Sequence, residues 1–208
     1  MGNYNNKIVV SALLAFTCSL YAVDKSIAVT PQVNHPVSTK TKGQQQIMID
    51  LTKQQLRTNW RIGNDDVMGG KSQGNILFKE DHWRFTGNIS VENNGGFSSV
   101  FYPVQPLSQK ISAVNIDIQG DGHRYQLRMV ANVNGERLYY YHEFNTVAGQ
   151  RQISTFSLAD FQATFRGRKI ANAPILKAEY INEVGFLLTT KQVGEFSLSI
   201  FTIDFVTC

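Results

Sequence analysis

The chain is poor in the residues that most readily betray a chemistry. Two cysteines and five prolines in 208 residues exclude a disulfide-stapled miniprotein and a collagen-like rod. No run of five Lys or Arg occurs, and a net charge of +4 is mild for this length. A dedicated nucleic-acid surface is therefore not indicated. The four histidines, His35, His82, His123 and His142, are scattered without ligand spacing, so no metal or cofactor is expected. Charged residues reach only 17% while aromatics reach 11%, a balance that argues against wholesale disorder. The longest apolar stretch, Ile8 to Leu20, is interrupted by Ser11, Thr17, Cys18 and Ser19 and falls short of the roughly 20 residues that span a bilayer.

That stretch has another reading. Lys7 precedes it and a small residue, Ala22, follows, which is the pattern of a secretory signal. The segment contains no Arg, against a mitochondrial presequence. Residues 1–22 are expected to direct export, to a periplasmic or extracellular space, and the mature chain to hold no membrane span. Cys18 leaves with that segment, and Cys208 remains as a lone terminal thiol. Residues 23–46 are polar, with Pro31, Pro36 and Gln44 to Gln46, and read as a tether.

From Ile47 the pattern changes to short alternating runs that predict a single all-β domain over residues 47–208. Trp83, Phe85, Gly87 and Ile89 share one face of a strand, as do Val114, Ile116 and Ile118, and Tyr125, Leu127 and Met129. Near the end, Phe196, Leu198 and Ile200 keep one phase, whereas Phe201, Ile203 and Phe205 take the other. Such a flip within one strand predicts a β-bulge or a strand changing sheets. Turn clusters separate the runs, and Asn134-Gly135 is the strongest hairpin signal. One short helix is predicted, Leu51 to Arg57. About ten strands with regular turns predict an antiparallel sandwich or barrel.

Three motifs of catalysis fail. Gly69-Gly70-Lys71-Ser72 lacks the earlier glycine of a phosphate-binding loop, since Asp65 stands there. Gly96-Phe97-Ser98-Ser99-Val100 lacks the closing glycine of a nucleophile elbow. Asp65-Asp66 has no third partner for general acid–base work. No catalytic residue is assigned.

Read together, the loops resemble a known family. Asn64-Asp65-Asp66-Val67-Met68-Gly69-Gly70-Lys71-Ser72, followed by Glu92-Asn93-Asn94-Gly95-Gly96-Phe97-Ser98-Ser99-Val100, is similar to the paired signature of the complex I intermediate-associated protein 30 family. Gly120-Asp121-Gly122-His123-Arg124-Tyr125, Phe161 through Arg166-Gly167-Arg168, Val184-Gly185-Phe186 and Gly194-Glu195-Phe196 resemble its later motifs. Phe101 stands where members usually have arginine, so no role of that arginine carries over. The resemblance implies a jelly-roll, galactose-binding-domain-like β-sandwich. It also implies a non-catalytic role in binding a protein client, as the family's mitochondrial members do in assembling respiratory complex I. The export signal conflicts with that particular client.

Two surfaces are candidates for binding. The loop residues Asn64, Asp65, Asp66, Gly69, Gly70, Ser72, Asn93, Asn94, Gly95, Gly96, Ser98 and Asp121 either rim a polar cleft or pin one another. In the second case the acids are expected to accept from backbone N–H groups and from Arg124, Arg166 or Arg168. Calcium is a further option for the clustered oxygens, though their spacing matches no known loop. The second surface follows from strand parity: Tyr139, Tyr141 and Glu143 lie opposite to Leu138, Tyr140, His142 and Phe144, beside outward Arg124, Gln126 and Arg128. Flat rings with planar polar groups suit a glycan or a protein, while the same residues are also ordinary cross-strand pairs. A carbohydrate-binding module is therefore the alternative to a protein-binding chaperone.

Overall fold

A computed structural model describes residues 47–49, 59–165 and 168–207. The signal-like segment, the tether, the helix expected at Leu51 to Arg57, Arg166 and Cys208 lie outside the described residues. Thirteen strands are present among the described residues: β1 (Ile47–Ile49), β2 (Arg61–Asn64), β3 (Gln73–Phe78), β4 (Trp83–Ile89), β5 (Phe97–Pro103), β6 (Ala113–Gln119), β7 (Arg124–Val133), β8 (Glu136–Asn145), β9 (Arg151–Ser157), β10 (Gln162–Phe165), β11 (Arg168–Lys169), β12 (Ile181–Thr189) and β13 (Gly194–Val206). They form two antiparallel sheets. One is six-stranded, in the order β3-β4-β13-β6-β9 with β1 also on β13; the other is seven-stranded, β11-β10-β8-β7-β12-β5-β2. The expected β-sandwich is thus the observed fold.

The period-two residues make the interior. Trp83, Phe85 and Ile89 of β4, Val114, Ile116 and Ile118 of β6, and Tyr125, Leu127 and Met129 of β7 are all buried. They pack in one cluster with Tyr140, Phe186, Phe196 and Phe205. Each such side chain contributes about 1.5–3 kcal/mol by leaving water, which is why alternation decides the sheet faces. The fully buried Tyr140 carries a partnered hydroxyl: its Oη donates to the Pro174 carbonyl at 3.0 Å.

The phase flip in β13 is a bulge. Its pairing with β6 slips between Ile200 and Thr202, so Phe201 is the extra residue and lies on the opposite face from Ile200. Before the bulge β13 pairs with β4 through Gly194 to Ile200, and beyond it β1 pairs with Ile203 to Phe205. One strand thereby carries two partners on the same side.

The β7–β8 hairpin closes through Asn134-Gly135, with Val133 opposite Glu136. Both turn residues are left-handed, φ 53° and 85°, the geometry whose twist matches that of paired strands. A Cβ on Gly135 would meet nothing within 4 Å. Gly135→Ala should therefore lose about 1–2 kcal/mol from backbone strain alone. Urea denaturation measures this, and an unchanged midpoint would show that the turn relaxes to another type.

Candidate functional site

The loop motifs meet around one buried carboxylate. Asp65 follows β2 in a short 3-10 turn, Asp65–Met68, that ends at left-handed Gly69. Its side chain is fully buried, at 0% exposure. Oδ1 accepts from the Ser72 backbone N–H at 2.9 Å, and Oδ2 from Ser72 Oγ at 2.6 Å, Gly96 N–H at 2.6 Å and Phe97 N–H at 3.2 Å. Ser72 Oγ also accepts from the Ser90 N–H at 3.1 Å. Burial raises the Asp65 pKa, but these donors outweigh it and hold the carboxyl below the usual carboxylate range. The glycines of the motif are explained by the same group. A Cβ on Gly70 would stand 2.3 Å from the Asp65 carboxyl, and one on Gly95 2.6 Å from Oδ2.

Asn64 works beside it. Its Oδ1 accepts from Gly74 N–H at 3.1 Å and from Ser98 Oγ at 2.7 Å. Gly74 belongs to the six-stranded sheet and Ser98 to the seven-stranded one, so Asn64 and Asp65 together clasp the two layers at one corner. Asn93 and Asn94 take left-handed φ of 55° and 60°. Asn93 Nδ2 donates to the Gly69 carbonyl at 2.8 Å, and Lys71 pairs with Glu92 across the same two loops.

Asp121 makes a second clasp at the same end of the body. It accepts from Ser197 N–H at 2.6 Å, His123 N–H at 3.0 Å and Tyr125 Oη at 3.0 Å. Burial raises its pKa, and the Ser197 and His123 donors bring it below the ordinary value. The buried Tyr125 phenol is pushed up, first by burial and then by the Asp121 charge.

The expected loop residues are therefore brought together, with Asp65, Ser72 and Ser98 buried and their polar atoms turned on one another. The arginine partners differ from expectation. Backbone N–H groups and hydroxyls surround Asp65 and Asp121, while Arg124 pairs with Glu143 on a sheet face. Arg168 is exposed in β11, opposite Phe165 of β10. Asp66 is exposed, and its carbonyl accepts from Gly69 N–H at 2.9 Å. Among the described residues no group of three or more His, Cys, Asp or Glu side chains is gathered to hold a metal ion. A shallow groove of about 660 Å³ opens nearby, lined by Asn64, Gln73, Asn75, Thr86, Asn88 and Glu195 among others.

Tyr139 and Tyr141 lie elsewhere, on the outward face of the seven-stranded sheet, as parity predicts. A single row crosses six strands there: Arg61, Phe101, Gly185, Arg128, Tyr141 and Gln162. Arg61 stands 4.5 Å over the Phe101 ring, and Arg128 lies 5.8 Å from both tyrosine rings. Phe101 and Tyr139 have centroids only 6.3 Å apart, although β12 and β7 separate their strands, a span of about 14 Å between backbones. Gly185 permits this approach, because a Cβ on it would stand 2.8 Å from Phe101 Cδ1. A polar recess of about 220 Å³ adjoins Tyr141, between His142, Glu143, Asp160, Gln162 and Lys169. Sequence reasoning missed Arg61, Phe101 and Glu183 as members of this face. The parity of Phe101 against buried Val100 and Tyr102 was the available signal for one of them.

Asp65→Asn keeps the shape but sets an amide against N–H donors. It should lose about 3 kcal/mol in chemical denaturation, as expected when a buried, hydrogen-bonded charge is removed. The folded carboxyl titrates below its ordinary value, so its contribution is whole above pH of about 4 and disappears as the pH falls through the lower folded value. The variant should accordingly show a flatter acid limb in a profile of stability against pH. Equal slopes in both proteins would refute the assignment.

Comparison with known proteins places this geometry. Over 77% of the chain and 94% of the other, the fold is similar to the family 11 carbohydrate-binding module of a cellulosomal cellulase of Clostridium thermocellum, with TM-score 0.59 and 12% identity. A family 11 module from Clostridium thermocellum in complex with a β-1,3-1,4-mixed-linked tetrasaccharide gives TM-score 0.58 at 14% identity, over 78% of this chain and 96% of that one. At such identities the likeness is one of fold. No curated protein matches the chain significantly. The sequence model of complex I intermediate-associated protein 30 matches residues 49–200, the span that holds the Asp65 clasp, the Asp121 clasp and the glycine beneath Phe101. The chain belongs to the complex I intermediate-associated protein 30 family.

Proposed function

We propose that the domain is a non-catalytic carbohydrate-binding module whose glycan lies across the outward face of the seven-stranded sheet. The observation that carries this reading is the cross-strand row from Arg61 to Gln162 with Tyr139 in the adjoining row: Tyr139 and Tyr141 stand among guanidinium and amide groups, beside a buried Phe101 that Arg61 covers. Ring faces stack on the C–H surface of a pyranose, while planar polar groups satisfy its hydroxyls, and both are needed to displace water from a sugar. The row is set on rigid strands rather than loops, which keeps its groups preorganised. Fold likeness to glycan-binding modules is compatible with this but does not carry it. The Asp65 and Asp121 carboxylates support no acid–base role, because their lone pairs accept structural hydrogen bonds.

A second reading, binding of a protein client, is favoured by membership of a family whose name comes from an assembly intermediate. It uses the same face, since aromatic and arginine groups anchor protein partners too. In either case the signal-like start of the sequence supports action outside the cytoplasm.

A glycan array and a pull-down from envelope extract separate the two readings. Replacing Tyr139 and Tyr141 by Ala should weaken glycan retention by about thirtyfold, the equivalent of about 2 kcal/mol, with the melting transition preserved. Retention of a protein partner, with the array blank, would instead establish the client reading.

A further inference from the structure

The charges on this face are unequal in a way that points to the class of glycan. Arg61 and Arg137 share Glu183, and Arg124 pairs with Glu143. Arg128, at the centre of the row, has no carboxylate partner among the described residues. Its Nη1 donates to Gln126 Oε1 at 2.8 Å, and Gln126 in turn donates to Glu143 at 3.3 Å. Its Nε is buried without any hydrogen-bond partner. Tyr139 and Tyr141 flank the guanidinium, each 5.8 Å away, and burial lowers its basicity. Withdrawing a cation from water without a counterion is unfavourable. The arrangement becomes favourable when an anion arrives with the ligand, and low local polarity then strengthens the pairing.

We infer that the glycan bound here is a polyuronate, and that Arg128 receives one of its ring carboxylates. This inference rests on the glycan-binding reading of the same face. A guanidinium presents two parallel N–H groups that match the two oxygens of a carboxylate, and the flanking rings supply the stacking surface for the sugar that bears it. Of the acids beside the row, Glu143 and Glu183 are each held by an arginine, so they repel an incoming carboxylate less than free acids do, and Asp160 lies at the edge, in the recess that also holds Lys169. Four arginines, Arg61, Arg124, Arg128 and Arg137, stand against those two glutamates on the face.

Affinity electrophoresis of the full chain in gels containing polygalacturonate, a mixed-linked β-glucan or a sulfated galactan tests this. Retardation by polygalacturonate above the other two is expected. Arg128→Gln should weaken it at least about tenfold, and Arg128→Lys should restore only part of the loss, because the charge returns without the fork. Raising the salt about tenfold should weaken polygalacturonate binding by the unaltered protein several-fold, a readout that does not depend on the variants folding. Equal retardation by the neutral glucan, insensitive to salt, would overturn the polyuronate inference and leave glycan binding intact. Retardation by the sulfated galactan alone would overturn the carboxylate assignment. A folded Arg128→Gln protein with unchanged affinity would remove Arg128 from the role. Retardation in none of the gels would overturn the glycan reading itself.

Discussion

One carboxylate holds the corner at which the two sheets meet. Asp65 receives donors from the segment leading into β3 and from the start of β5, and those strands belong to different layers. A sandwich without a disulfide among its described residues needs some such cross-link, because apolar packing fixes the distance between layers but not their register. Hydrogen bonds to a buried charge are directional and about twice as strong as neutral ones. They also impose conditions on their surroundings. Gly70 and Gly95 must lack a Cβ to admit the carboxyl, and Ser72 must present both its N–H and its hydroxyl. The family's most recognisable stretch of sequence is, in these terms, the set of residues that can coexist with a buried aspartate.

That separates two kinds of conspicuous residue. The loop signatures have the polar look of a binding cleft, yet Asn64, Asp65, Ser72 and Ser98 spend their polar atoms on one another and on loop backbone, while Asp66, Asn93 and Asn94 stay exposed. The sheet face carries a plainer sequence, with its aromatic and arginine groups spread over β2, β5, β7 and β8, and Glu183 and Gly185 of β12 between them. Phe101, where family members usually carry arginine, lies in the middle of that face with Arg61 stacked on it. That position thus lies beneath the side chains of the sheet face, buried at 4% exposure, whereas the loop motif lies on the scaffold.

The sheets were legible because burial obeys a period of two. Tyr125, Leu127 and Met129 could be assigned to the core without coordinates, as could the phase flip near Phe201. The Asn134-Gly135 turn was legible because few other residues accept left-handed geometry twice in succession. Partners of charged groups were not. Asp121 was expected to accept from backbone N–H groups or from arginine; the distant donor it takes is the backbone N–H of Ser197, 76 positions away, and only the strand order brings β13 beside that loop. The approach of Phe101 to Tyr139 was equally hidden, since it depends on three strand pairings and on the missing Cβ of Gly185.

The placement of β13 has a kinetic corollary. It lies between β4 and β6, so those two earlier strands have no direct partner in one another. Thr86 of β4 donates to the Phe196 carbonyl, 110 positions later. During vectorial emergence from a ribosome or a translocation pore, β4 and β6 must wait for the strand that joins them. Slow, late closure of this kind is the behaviour of chains rich in distant contacts. Until it occurs the apolar sides of Phe85 and Ile116 stay uncovered by β13, and nascent molecules depend on holding factors or fast release to avoid sticking to one another.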